Sequence, residues 1–246
     1  MYLYGKRSIN ERLLVNPRSV KQVILEHGGG RVPEVAALAR SKRIPVELIH
    51  TTRFKSITRG IHSQGIIAEV EDFAYADLDE IIGVENTKKP TLILLDRIND
   101  PQNLGAILRT CACMGGFCVV LPKHECVDVT ETVLKVACGA ENYVPVCLLS
   151  TLAVAVDKAK EEGYWIAATV VEGGDNPRGT AINFPLALVF GSEGEGVRAG
   201  LLKELDYRFT LPMQGAELSL NVANAVSIFC YEITCQRNLN ENKKSA

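Results

Sequence analysis

From Thr91 onward, short continuous apolar runs alternate with stretches whose apolar residues recur every three or four positions. The runs at 91–95, 117–121, 144–148, 164–170, 186–190 and 208–211 read as strands. The intervening stretches predict helices at 103–114, 130–138, 151–162, 197–205 and 220–237. Strand–helix alternation at this spacing predicts an α/β fold, a mostly parallel sheet with helices on both faces.

Ahead of this lies a smaller unit with shorter elements. Lys6–Val15 has helical period, with Ile9, Leu13 and Leu14 on one face, and Asn16-Pro17 ends it. Val20–Leu25, Val46–Ile49 and Gly65–Val70 read as strands, Pro33–Arg40 as a helix opened by its proline, and Arg53–Arg59 as a short basic helix. An acidic stretch carrying one short helix, Leu78–Ile82, and closing at Pro90 reads as a linker. The expected organisation is a domain over 1–70, a linker over 71–89, a second domain over 90–238 and a polar tail, 239–246, whose composition reads as disordered.

Three apolar runs end in islands of glycine, asparagine, serine and acidic residues. In open α/β sheets ligands sit at the carboxyl ends of strands, so three such ends predict one composite site. The first island, Asp96–Thr110, offers Asn103 as a helix N-cap, Gly105 for close approach, and Arg109 one turn beyond Gly105. A guanidinium near a helix start does not offset the dipole, so either a phosphate partner or a neighbouring acid accounts for it. The second, Gly191-Ser192-Glu193-Gly194-Glu195-Gly196-Val197, is neither a dinucleotide fingerprint nor a P-loop. Its two acids repel phosphate and suit a ligand with hydroxyls or positive charge, such as a ribose or a sulfonium. The third, Leu211–Asn221, is an irregular loop in which Ser219 and Asn221 are cap candidates for the last helix.

Charge changes the picture once it is divided. Residues 1–68 hold twelve Lys/Arg and four acids, a charge of +8, while the remainder carries −10, giving the net −2. Such asymmetry suits a first domain that meets a polyanion, or else a solvated basic face on an ordinary domain. The eight cysteines, at 111, 113, 118, 126, 138, 147, 230 and 235, form no Cys-x-x-Cys pair and find no ligand-spaced histidine, so reduced packed thiols and no metal are expected. No run approaches the roughly 18 apolar residues of a membrane span and the start lacks a signal peptide's apolar core, so a soluble cytoplasmic protein is expected.

The islands carry a resemblance. Asn103-x-Gly105-x-x-x-Arg109, Gly191-x-Glu193-Gly194-x-Gly196-Val197, and Leu211-Pro212-Met213 followed by Ser219-Leu220-Asn221-Val222 resemble, in order and spacing, three motifs of the SpoU (TrmH) family. These are AdoMet-dependent RNA ribose 2′-O-methyltransferases of the SPOUT superfamily. Tyr4-Gly5, His62–Ala68 and Lys135–Ala140 extend the likeness toward the branch that methylates a guanosine of bacterial 23S rRNA. The resemblance implies a trefoil-knotted C-terminal α/β domain, an L30e-like N-terminal domain that binds structured RNA, and a homodimer formed through the knot. It implies a pocket for S-adenosyl-L-methionine (AdoMet) from Thr169, Gly191, Gly194, Gly196, Leu211, Met213 and Leu220, and a polar catalytic set of Asn103, Arg109, Glu193, Ser219 and Asn221. Arg53, Lys55, Arg59 and Arg109 would contact RNA.

The family's arginine has been cast as a base, but arginine is the hardest side chain to deprotonate, which favours a phosphate grip for Arg109. The chain departs from the family after Asn221, with Ala223-Asn224-Ala225 where many relatives have Ser-Val-Ala. Other readings are a tRNA ribose methyltransferase, a base-methylating relative, and a non-catalytic dimeric RNA-binding protein. The absent G-x-G-x-x-G disfavours a nicotinamide dehydrogenase.

Overall fold

The computed structural model describes residues 1–28, 32–84, 89–192, 194–203, 205–216 and 218–244. In chain order the elements are β1 (Tyr2–Tyr4), α1 (Lys6–Val15), β2 (Val20–Glu26), α2 (Pro33–Ser41), β3 (Val46–Ile49), α3 (Thr51–Thr58), β4 (Ile66–Val70) and α4 (Leu78–Ile82). There follow β5 (Thr91–Leu95), α5 (Pro101–Met114), β6 (Phe117–Pro122), α6 (Glu131–Ala137), β7 (Val146–Leu149), α7 (Leu152–Glu161), β8 (Trp165–Thr169), β9 (Leu186–Phe190), β10 (Tyr207–Phe209) and α8 (Val222–Lys244). They form two units, Met1–Ala74 with Asp128–Tyr143, and Tyr75–Val127 with Val144–Ala246.

The first unit is a four-stranded sheet in the order β1-β4-β2-β3, antiparallel except for the β2/β3 pair. Its short edge strand, β1, escapes the apolar pattern because it is only three residues long. Asp128–Tyr143, read from sequence as part of the second domain, belongs here. The Glu131 carboxylate accepts from the Tyr2 backbone N–H and from the Tyr4 hydroxyl at 2.9 Å, and Tyr143 donates to Glu11 at 2.7 Å. Burial, reinforced by Glu131, pushes the Tyr4 phenol well above its usual range. At Gly139 (φ 95°) a Cβ would stand 2.5 Å from the Cβ of Glu11, so the segment lies against α1.

On α1 the buried positions are Ser8, Ile9, Arg12 and Leu13, whereas Leu14, expected inside, is 53% exposed. The reason is an ion pair. Arg12 turns inward to meet Glu141 at 3.2 Å and the Ser19 hydroxyl at 3.2 Å. The pair is incompletely satisfied, since Arg12 Nε and Glu141 Oε2 have no hydrogen-bond partner among the described residues. Burial raises Glu141 above the ordinary glutamate value of 4.5 despite the guanidinium beside it.

The second unit is a six-stranded, wholly parallel sheet in the order β10-β8-β9-β5-β6-β7. Every residue of β5, β6 and β9 is buried, which explains why they read as uninterrupted apolar runs. One sheet face packs Leu92, Leu94, Val120 and Val189 against α4 and α7, including Leu78 and Ile82 of the expected linker. On the other face Phe190 meets Phe229 of α8 edge-on at 5.5 Å, and α5 packs along α8. All eight cysteines are free thiols; buried Cys118 and Cys147 lie 3.6 Å apart.

Three expected elements differ. The helix expected over 197–205 is instead a turn followed by a 3-10 turn at Leu201–Lys203, with residue 204 outside the described residues, and the Arg198 N–H donates to the Asp96 carboxylate at 3.0 Å. The cap of α5 is Asp100, whose carboxylate accepts from the Gln102 N–H at 2.8 Å with Pro101 as first helical residue, so Asn103 lies inside the first turn. The last helix continues to Lys244, through most of the expected tail.

The buried ion pair makes a stability prediction. A carboxyl whose folded pKa is raised contributes stability that is complete below its unfolded value and lost as pH rises through the folded value. Arg12→Met should therefore cost little near pH 4 and about 3–5 kcal/mol near pH 7, where the carboxylate is stranded. Urea denaturation of the variant across this range reads it; a cost independent of pH would contradict the assignment.

Candidate active site

The site is built where β5 and β9, adjacent in the sheet, come to an end. Leu95 stands opposite Phe190, and the Asp96 N–H donates to the Phe190 carbonyl at 2.8 Å, carrying the ladder one residue past both strands. The Asp96 side chain is 2% exposed and faces two arginines, with Arg198 Nε at 3.0 Å and Arg97 Nε at 3.7 Å. Arg97, held at φ 60°, donates to the Gly196 carbonyl at 2.9 Å and pairs with Glu195. Arg198 pairs in turn with Glu125. This cluster ties the first island to the second, and it neutralises Glu195.

The second island folds back on itself. The Gly196 N–H donates to the Ser192 carbonyl at 3.0 Å, and a Cβ placed on Gly191 would fall 2.0 Å from the Gly196 carbonyl carbon. Only glycine fits there. Gly194 and Gly196 complete the bend at φ 93° and 66°.

Beside this loop lies a cavity of about 460 Å3. Its walls come from the ends of β8, β9 and β10, the third island and the first turns of α8. They are chiefly apolar, with Phe190, Phe209, Leu211, Met213, Leu220 and Phe229, and the polar groups are few: Thr169, Ser192, Glu195, Ser219 and loop backbone. A mostly apolar cleft of this size with a handful of polar groups suits a nucleoside-sized ligand.

All seven residues expected around a cofactor, Thr169, Gly191, Gly194, Gly196, Leu211, Met213 and Leu220, line the cavity. Of the expected catalytic set, Ser219 also lines it. Asn221, between the lining residues Leu220 and Val222, accepts from the Ala223 N–H at 3.0 Å and so caps α8, while its amide N–H donates to Asn103 Oδ1 at 2.9 Å. Arg109 is exposed on α5 and has no ion pair among the described residues. Glu193 lies outside the described residues. Asn224, where the chain departs from the family, is exposed and absent from the lining, whereas Ala225 contributes to it. Arg53, Lys55 and Arg59, on α3 and its C-cap in the first unit, are all exposed, with Arg53 3.3 Å from Glu47.

Helices α5 and α8 run side by side in the same direction. Asn103 meets Asn221 near their starts, Thr110 meets Ser227 at 2.9 Å, and Arg237 donates to the Gly115 and Gly116 carbonyls at 2.8 Å past the end of α5. The positive ends of two helix dipoles therefore converge beside the cavity, which favours an anion there. The sequence reading missed the roles of Arg97 and Phe229. Arg97 had a signal, a cation directly after a buried strand; its partner Glu195 lies 98 positions away.

Similarity to known proteins agrees with this construction. Residues 90–231 match the model of the SpoU rRNA methylase family, and residues 2–76 match that of the RNA 2′-O ribose methyltransferase substrate-binding domain. A Pseudomonas putida protein named 23S rRNA (guanosine-2′-O-)-methyltransferase RlmB is 34% identical over 241 residues, covering 96% of each chain. YacO of Bacillus subtilis, named as a TrmH family tRNA/rRNA methyltransferase, is 33% identical over 240 residues with the same coverage. The crystal structure of the SpoU methyltransferase AviRb from Streptomyces viridochromogenes superposes with a TM-score of 0.80 at 22% identity, covering 98% of this chain and 90% of that one; its complex with AdoMet gives 0.78. At that identity the likeness is one of fold. Family models over both parts of the sequence, together with relatives above 30% identity along nearly its whole length, show that this chain belongs to the SpoU (TrmH) family of RNA methyltransferases.

Proposed function

We propose that this protein methylates a ribose 2′-hydroxyl of structured RNA, with a guanosine of 23S rRNA as its target and AdoMet as the methyl donor. The observation that carries the reading is the glycine-walled cavity at the ends of β8, β9 and β10, with the Asn103–Asn221 pair beside it. The P. putida relative's named activity supports the choice of rRNA guanosine. The residues present fit the cofactor. Phe190, Leu211, Met213 and Leu220 offer apolar walls to an adenosine, and the bare backbone at Gly191 and Gly196 lets a ligand approach closely. When bound, AdoMet supplies an electrophilic methyl group on a sulfonium.

The chain's own residues then have to place the ribose oxygen and steady the charge that grows on it. Arg109, exposed and without an ion pair among the described residues, grips the phosphate beside the target ribose. Ser219 and Asn221 hold the loops in place. Arg53, Lys55 and Arg59 meet RNA phosphates from the first unit, which acts as an L30e-like binding domain. The substrate-binding family match over residues 2–76 supports that role.

The return of the chain from β10 at the sheet edge to α8 beside α5 is consistent with the trefoil knot. A homodimer through this domain fits Ile228, Tyr231 and Leu239 of α8, 45%, 61% and 60% exposed. No helix among the described residues is long and apolar enough to cross a membrane, in keeping with a cytoplasmic enzyme.

Mapping ribose methylation in rRNA and tRNA from cells with and without the gene tests the reading. Loss of one guanosine methyl from 23S rRNA is expected; loss confined to tRNA would move the protein to the tRNA ribose methyltransferases. Gly191→Ala should weaken AdoMet binding in calorimetry by roughly tenfold to a hundredfold, the equivalent of about 1–3 kcal/mol of overpacking. Arg109→Lys should lower kcat by roughly 10²–10³-fold while leaving AdoMet affinity within about twofold. Loss of cofactor affinity in that variant would overturn the phosphate-grip assignment.

A further inference from the structure

The amides of Asn103 and Asn221 form a directed chain that begins on a backbone group. A side-chain amide has an oxygen that only accepts and a nitrogen that only donates, nearly identical in shape, so its polarity is set by its partners. For Asn221 one partner is decisive. The Ala223 N–H can only donate, and it lies 3.0 Å from Asn221 Oδ1. That orients the Asn221 nitrogen toward Asn103, where it donates to Oδ1 at 2.9 Å. Asn103 must then accept with its oxygen, which leaves its own NH2 group for something else. Nothing among the described residues accepts from that group.

We infer that Asn221 is a positioning residue that fixes the polarity of Asn103, so that Asn103 presents N–H donors, and not a carbonyl, to the RNA. The inference rests on the reading of the site given above and deepens it by assigning the ligand chemistry at this position: an oxygen acceptor, either a phosphate oxygen or a ribose oxygen of the substrate strand. The same polarity bars Asn103 from accepting the proton of the 2′-hydroxyl. It also agrees with the convergence of the two helix starts, since N–H donors and helix N-termini favour the same anionic partner.

Capping and polarity make different demands, which separates them experimentally. Asp and Ser are caps of similar quality to Asn, so Asn221→Asp and Asn221→Ser should both keep α8 formed. Only Asp is an obligate acceptor toward Asn103. It forces the Asn103 amide to turn over and show its carbonyl to the RNA, whereas Ser can donate to Asn103 as the native amide does.

The assay transfers labelled methyl from AdoMet to total rRNA isolated from cells lacking the gene, with calorimetric AdoMet affinity and melting temperature measured alongside. Asn221→Ser should lose several-fold in kcat/KM for RNA, and Asn221→Asp at least tenfold more than Ser, with AdoMet affinity in both within about twofold of the unsubstituted protein. Asn103→Asp, which replaces the donor without touching the cap, should match the loss of Asn221→Asp. Equal losses for the Asp and Ser variants at position 221, or retained activity in Asn103→Asp, would overturn the inference. The unsubstituted protein separates this from the functional reading: if it binds AdoMet yet methylates no rRNA, the target assignment fails first.

Discussion

The buried carboxylate of Asp96 is the fastener on which the candidate site depends. It sits one residue past β5, 2% exposed, and the groups that satisfy it come from the loop after β9: the Arg198 backbone N–H and the Arg198 guanidinium. Arg97 extends the tie to Glu195 and the Gly196 carbonyl. A charge so deeply placed is tolerated only because its partners are in position; removing one partner of such a pair costs about 3–5 kcal/mol. The glycine loop that walls the cavity thus takes its shape from an ionic cluster at its base as well as from its own glycines.

Much of the fold was legible because fully buried parallel strands leave an unambiguous trace. Leu92–Leu95 and Leu186–Phe190 are apolar throughout, and the structure has strands at Thr91–Leu95 and Leu186–Phe190. The residues lining the cavity were legible for a related reason: glycines and irregular loops directly after such strands have few structural roles other than ligand approach. What stayed hidden depends on contacts distant in sequence. Arg12 occupies a buried position of α1 because Glu141 lies 129 residues further on, and no periodicity within α1 could announce that. Asn103 and Asp100 are both good cap formers three residues apart in one motif, and Pro101 at the first helical position decides between them.

The aromatic groups behind the cavity show how site and core share side chains. Phe190, Phe209 and Phe229 line the cavity, with the Phe229 ring centroid 5.5 Å from that of Phe190 and 6.1 Å from that of Phe209, and Tyr207 stacks on Phe209 at 5.5 Å. The wall against which a ligand would rest is therefore the interior packing of β9, β10 and α8. Such a wall cannot be softened without loosening the sheet edge, which suits a site that must hold its shape before a ligand arrives.

The excursion of residues 128–143 into the first unit bears on the order in which the polypeptide matures. A ribosome that has released Met1–Ala74 has not yet made the segment that supplies Glu131 and Glu141, because 69 residues separate Ala74 from Tyr143. At about 5–20 residues per second, that delay is roughly 3–14 s. During it, β1 and α1 lack the part of their packing that α6 and Glu141 supply, and β5, α5 and β6 of the other unit emerge meanwhile. The first unit therefore completes its packing only after part of the second has been made.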